Sequence, residues 1–175
     1  MRTSNRTYRI HELIRRSGPA RDGTRDRGRR TGWHADPVPA IDVIDETFLA
    51  VPRERVAAEF ADPARWPSYW PDLRPEVAHD RGPAGLRWTV TGALVGTMEV
   101  WCEPEGDGTV LHFFLRADPD GAPSGGRLRR RRWLRAESDR RHRAFKAHAF
   151  ALKRRLEDGR PAGVAPSAYR PDGTA

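Results

Sequence analysis

The side chains best suited to chemistry in this 175-residue chain are a cluster of rings, Trp66, Tyr69 and Trp70, and one histidine, His148. Three large rings so close in sequence can stack a flat apolar molecule, with the Tyr69 hydroxyl as a polar handle. The same rings can also plug the open end of a sheet and serve as core. His148 lies three residues after Phe145, on what reads as the inward stripe of a helix. An imidazole there can give or take a proton; bonded to a backbone carbonyl, or set at the surface, it is only structural. His79, His112 and Cys102 are spaced unlike any zinc pattern, so no metal is expected. Asp45, Glu46, Glu99 and Glu103 are the acids available for acid/base work, but they alternate with apolar residues, a pattern that a solvated outer sheet face also produces, with Arg87 or Arg116 as cross-strand partners of Glu99 and Glu103. No Ser-His-Asp or Cys-His arrangement, P-loop or Gly-x-Gly-x-x-Gly run is present, and no cofactor is expected.

Period-two and helical patterns predict the elements that hold these residues. Ile41–Ala50 alternates as a strand, with Val43, Asp45, Thr47 and Leu49 sharing one face. Pro52 suits the first turn of a helix that stripes Val56, Glu59 and Phe60. Asp62-Pro63 then starts a second, short helix, with the carboxylate as N-cap. Strands follow over Arg74–Asp80, Leu86–Thr91, Thr97–Glu103 and Val110–Arg116. Gly92–Gly96 reads as a turn or bulge, PEGDG at 104–108 as a hairpin loop, and 117–126 as a breaker-rich loop. A long helix over Arg129–Asp158 closes the pattern, its stripe being Leu134, Ser138, Arg141, Phe145, His148, Leu152 and Leu156. Ala144, Ala149 and Ala151 flank that stripe.

Charge is segregated along the chain, whose net value is +8. Residues 1–34 carry ten arginines against three acids, residues 35–126 seven against sixteen, and residues 127–160 fourteen bases against four acids. Thirty of the 32 basic residues are Arg in a chain rich in Ala, Gly and Pro, a composition that high-GC, actinobacterial-type coding also produces. The basicity therefore has two readings, coding bias or attraction to a polyanion. The block RLRRRRWLR at 127–135, with Trp133 interleaved, is the candidate for nucleic acid or an anionic membrane. Residues 1–38 read as a disordered basic leader, 39–158 as one domain and 159–175 as a disordered tail. The single Cys102 excludes an internal disulfide and suits a reducing cytoplasm, and no apolar run is long enough to span a bilayer.

Three stretches carry a family resemblance: FLAVPRERVAAEFADPARWPSYWPDL at 48–73, GTMEVWCEPEGDGTVLHFFLRAD at 96–118 and RRHRAFKAHAFALKRRLED at 140–158. Together they resemble the START-like (SRPBCC) superfamily, in particular its polyketide cyclase/dehydrase-like and aromatase-like proteins. The resemblance implies an α+β helix-grip fold: a curved antiparallel sheet of five to six strands around a long C-terminal helix, with two short helices after strand 1. Five strands are countable here, fewer than the family usually carries, which implies a smaller or more open grip. The resemblance also implies that the short second helix borders a cavity mouth. Its expected lining is Trp66, Tyr69, Trp70, Trp88, Val90, Met98, Val100, Leu111, Phe113, Phe145, His148 and Leu152. The expected partner is a small hydrophobic or aromatic molecule, and the chain is expected to be a monomer or homodimer. A cyclase/aromatase-type enzyme is the alternative, with His148 or Tyr69 as its polar group; nucleic acid is a further runner-up.

Overall fold

The computed structural model describes residues 38–121 and 125–157, so the expected leader and tail fall outside the described residues apart from Val38. The described elements are β1 (Ile41–Leu49), α1 (Arg53–Ala61), a 3-10 turn (Pro63–Arg65) running into the one-turn α2 (Trp66–Tyr69), and β2 (Leu73–Asp80). A second 3-10 turn (Gly82–Ala84), β3 (Gly85–Gly92), β4 (Leu94–Glu105), β5 (Gly108–Pro119) and the 31-residue α3 (Arg127–Glu157) complete them. The strands form a five-stranded sheet in the order β1-β5-β4-β3-β2, antiparallel at every pairing. This is the α+β helix-grip arrangement expected, with two short helical segments after strand 1 and a long helix last.

Register carries the alternating apolar residues into rows across the inner face. Val43, Leu115, Met98 and Trp88 lie in one row; Asp45, Phe113, Val100 and Leu86 lie in the next. A one-residue slip would turn each row outward, so burial of this face fixes the pairing. The helix α3 covers the face with Arg141, Phe145, Ala149, Leu152 and Leu156, and α1 covers the remainder with Val56, Ala57 and Phe60. A Gly-Gly pair precedes α3, and most of its residues are Arg, Leu, Ala, Glu and Lys, all good helix formers. The i,i+4 pairs Glu137–Arg141 and Lys153–Glu157 add to it.

Several boundaries differ from those expected. Only Ala93 separates β3 from β4, and Leu94–Gly96 belongs to β4, because it pairs with Ala117–Pro119, which extends β5 into the expected breaker loop. Gly92 is needed there: its φ is +105°, and a Cβ would stand 2.6 Å from the Asp72 carbonyl oxygen. Pro52 is the N-cap of α1, just outside the first turn. Asp62 caps the following turn as expected, accepting from the Ala64 N–H at 3.0 Å with Pro63 next to it. Of the flanking alanines on α3, Ala149 is buried while Ala144 and Ala151 face out. The helix also begins two residues earlier than expected, at Arg127.

The acids correct the outer-face reading most. Asp45 is 3% exposed and points toward α3, because the alternation that buries Val43 and Leu49 must bury residue 45 as well. Glu99 does lie on the face opposite Met98, yet it is 7% exposed and paired with Arg81, which replaces the Arg87 or Arg116 partner expected.

Candidate functional site

The aromatic residues singled out in the sequence converge on one end of the grip. The one-turn helix α2 carries Pro67 in its first turn and ends ahead of Pro71, which keeps it short. The Trp66 indole N–H donates to the Phe60 carbonyl at 2.8 Å, which fastens α2 to the end of α1. Trp66 and Trp70 each meet the Trp88 ring edge-on, at centroid distances of 5.7 and 5.5 Å. Trp70 stacks on Phe113 at 6.3 Å, and Phe113 stacks on Phe145 of α3 at 3.8 Å. The rings of α2, β3, β5 and α3 thus form one continuous pile. Val90, Met98, Val100, Leu111 and Leu152 lie in the same buried cluster. All twelve expected lining residues are therefore at or beside this cluster, with Tyr69 and His148 at its half-buried rim.

Tyr69 and His148 face each other at that rim, their rings 5.4 Å apart and nearly perpendicular. Burial lowers the His148 pKa from its ordinary value, which favours the neutral imidazole at pH 7. Tyr69 also packs edge-on against Trp70 and tilted against Phe60, at centroid distances of 5.6 and 5.7 Å. Beneath the rim one polar atom stands out. Trp88 is completely buried, and its indole N–H has no hydrogen-bond acceptor among the described residues. A buried donor without a partner costs about 1–3 kcal/mol.

Ionic clamps around the rings were not foreseen. Arg141, 6% exposed on its side chain, sends both terminal nitrogens to Asp72, at 2.7 and 2.6 Å, and its Nε to Glu137 at 2.8 Å. Asp72 sits in the loop between α2 and β2, so this fork ties the mouth to α3. Burial pushes the Asp72 pKa up, but hydrogen bonds from Arg141 and Arg140 outweigh it and hold the carboxyl below its ordinary value. Glu137 is also held low, chiefly by its hydrogen bond from Arg140. On the other side of α2, Glu59 takes Arg155 at 2.6 Å and also pairs with Arg65.

A third clamp runs along β1, an edge strand. Asp45 receives Lys146 at 2.7 Å and His142 at 2.8 Å, and the Thr47 hydroxyl donates to it at 3.2 Å. Lys146 also donates to the Glu46 carbonyl and Lys153 to the Phe48 carbonyl, each at 3.0 Å. These two are the only lysines in the chain. Both satisfy backbone acceptors that an edge strand leaves open, a task suited to a compact ammonium on a flexible stem. Two lysines seven apart in a chain otherwise confined to arginine were the available sequence signal.

Other candidates are kept apart from the rings. His79 is exposed on β2. His112 lies on the opposite sheet face, stacked on Trp101 at 4.7 Å, with its Nε2 2.9 Å from Glu103 and its Nδ1 3.2 Å from Glu46. Cys102 faces inward, where burial pushes its thiol up to about 12, so it is not a nucleophile at neutral pH. Among the described residues no group of His, Cys, Asp and Glu could hold a metal, and no helix is long and apolar enough to cross a membrane.

No family model matches the chain, and no curated protein matches it. Solved structures similar to it include a Polyketide_cyc-like protein of Corynebacterium glutamicum, 20% identical over 69% of this chain and 93% of that one, TM-score 0.47. Another is the Zhui aromatase/cyclase of a Streptomyces species, 19% identical over 70% and 98%, TM-score 0.44. A START superfamily protein of Mycobacterium smegmatis is 16% identical over 63% and 98%, TM-score 0.36. At these identities and scores the likenesses add nothing to what the strand order and helix contacts establish.

Proposed function

We propose that this chain binds a small hydrophobic or aromatic molecule in the grip between sheet and α3, with the ring cluster as its seat. The Tyr69–His148 rim is the entrance. The observation that carries this reading is the Trp88 indole N–H, fully buried among ring faces and without an acceptor in the described fold. A molecule with flat apolar faces and one carbonyl or ether oxygen supplies both what the rings favour and what that donor lacks. The rings now touch one another, so entry requires α2 to move outward. The one-turn α2 is the shortest helix of that wall, and moving it outward would loosen the half-exposed Arg140–Asp72 and Arg155–Glu59 pairs and the buried Arg141–Asp72 pair. Residence in the cytoplasm, as a monomer or homodimer, belongs to the same reading.

The test is a titration with an aromatic ketone such as 1-tetralone, followed by tryptophan quenching, together with native mass spectrometry of protein from its own host. Saturable quenching is expected, weakened about tenfold in Trp88→Phe, since a hydrogen bond contributes about 1 kcal/mol or slightly more. That variant keeps its ring and sheds an unpaired donor, so its unfolding midpoint should hold or rise. Quenching that never saturates, with no molecule retained from the host, would overturn the reading.

The alternative is a cyclase/aromatase-type enzyme acting on a polyketide-like chain. The placing of the His148 ring against the Tyr69 ring, with burial favouring the neutral imidazole, supports it, because ring closure needs mainly a held conformation and one group to move a proton. A His148→Ala, Tyr69→Phe double variant should then lose turnover of such a chain while still binding it. Turnover equal to the parent's excludes both residues from that role.

A further inference from the structure

We infer that the first three turns of α3 form a docking surface for an anionic lipid bilayer, an inference independent of the ligand reading above. Residues 127–136 add about 15 Å of helix ahead of Arg141 and Phe145, and of these residues Leu134 packs against the core. Every residue from Arg127 to Ala136 is exposed except the half-buried Leu134. Six of these ten are arginines: Arg127, Arg129, Arg130, Arg131, Arg132 and Arg135.

These charges are placed against ordinary helix electrostatics. The positive end of the helix dipole favours carboxylates, and the first turn of α3 holds none. Arg127–Arg131, Arg131–Arg135 and Arg129–Arg132 are like-charge neighbours at i,i+4 or i,i+3, which oppose the helix further. Among the described residues no carboxylate forms an ion pair with any of the six, whereas Arg140, Arg141 and Arg155 on the same helix are all paired. The composition of the two ends is not rich in negative charge. Residues 1–34 hold ten arginines against three acids, and residues 161–175 hold one arginine and one aspartate. A partner rich in negative charge is what this segment lacks.

The apolar residues decide which polyanion. Leu128 is 73% exposed and Trp133 36%, and they share one open surface with Arg129, Arg132 and Ala136. That is a narrow apolar strip flanked by long cationic side chains. A bilayer interface accepts both parts: Leu and Trp enter at the headgroup boundary, and arginine stems reach back to the phosphates. A nucleic-acid backbone satisfies the arginines and leaves Leu128 in water.

The experiment is flotation of the full chain with vesicles of phosphatidylcholine alone, and with phosphatidylcholine and phosphatidylglycerol at about three to one. Binding is expected only to the second, falling as salt is raised from about 0.1 M to about 1 M and the screening length shrinks from about 10 Å to about 3 Å. Arg129→Glu with Arg132→Glu should lower the binding at least tenfold. Leu128→Ser with Trp133→Ser should lower it several-fold, and both variants should melt like the parent because the sites are exposed. Equal binding to the neutral vesicles, or none to the anionic ones, overturns the inference. So does a Leu128→Ser, Trp133→Ser variant that floats as well as the parent. Tighter binding to a DNA duplex or single-stranded RNA than to anionic vesicles at the same salt assigns the surface to nucleic acid instead.

Discussion

The two ends of α3 are built from the same residue types and behave differently. From Arg141 to Glu157 each inward position meets a partner: Phe145 meets Phe113, Arg141 meets Asp72, Lys146 meets Asp45, and Arg155 meets Glu59. From Arg127 to Ala136 the arginines are exposed and pair with no carboxylate among the described residues. The difference teaches that a basic run is not one feature. Where an acidic sheet lies alongside, its charges are spent inside the fold; where the helix passes beyond the sheet, they remain open to an outside partner.

The largest break in this contrast should come from the seated end. Phe145→Ala removes the ring at the centre of the aromatic pile and should cost about 3–5 kcal/mol, read as a lower urea midpoint. A smaller loss, near 1 kcal/mol, would mean that the pile closes over the gap and the grip is looser than its contacts suggest. Next is Arg141→Met, which keeps the stem and unpairs Asp72 and Glu137. Because Asp72 is about one-third exposed, the loss should be about 2 kcal/mol, below the range for fully buried pairs.

The same pairs set an acid limb. Asp72 and Glu137 have folded pKa values below their ordinary 3.8 and 4.5, so the unfolded chain binds more protons in that window. Their contribution is complete above those ordinary values and disappears as pH falls through the lower folded ones. His148, with its folded pKa below 6.5, acts in the same direction between that value and its folded one. Stability should therefore decline toward acid, and the steepest part, below about pH 4.5, should flatten in Arg141→Met. An acid limb of unchanged slope in that variant would place the titrating groups elsewhere. The smallest effect belongs to the projecting end. Arg129→Ala with Arg132→Ala should shift stability by less than about 0.5 kcal/mol, and toward greater stability, since it relieves like-charge repulsion. A clear loss would show that these arginines are paired after all.

Much of this could be read in advance, for definite reasons. Alternation in Leu86–Val90 and Leu111–Leu115 assigned the inner faces correctly because one side of each strand must leave water. Asp62-Pro63 located its turn because a carboxylate cap and a prefixed φ act within three residues. Asp45 was misread because alternation says which residues share a face and is silent on whether that face is wet. Its burial depends on Lys146, a hundred and one positions away. The Asp72 clamp was hidden for a similar reason. Glu137 and Arg141 are visible as an i,i+4 pair, but nothing local shows that Asp72, whose carbonyl takes the Ala93 N–H, turns its carboxylate to the helix.

Local chemistry alone thus determined the five strands, the long helix, the aromatic content of its inner face and the segregation of charge. Those properties depend on neighbours within a few residues, where pattern and propensity act directly. Tertiary structure alone decided which charges are consumed by the fold and which rings touch. It also decided that the Trp88 indole would be buried without an acceptor among the described residues while the first turns of α3 stay exposed. These outcomes turn on distances of a few ångströms between residues far apart in the chain, and on where the sheet ends beneath the helix.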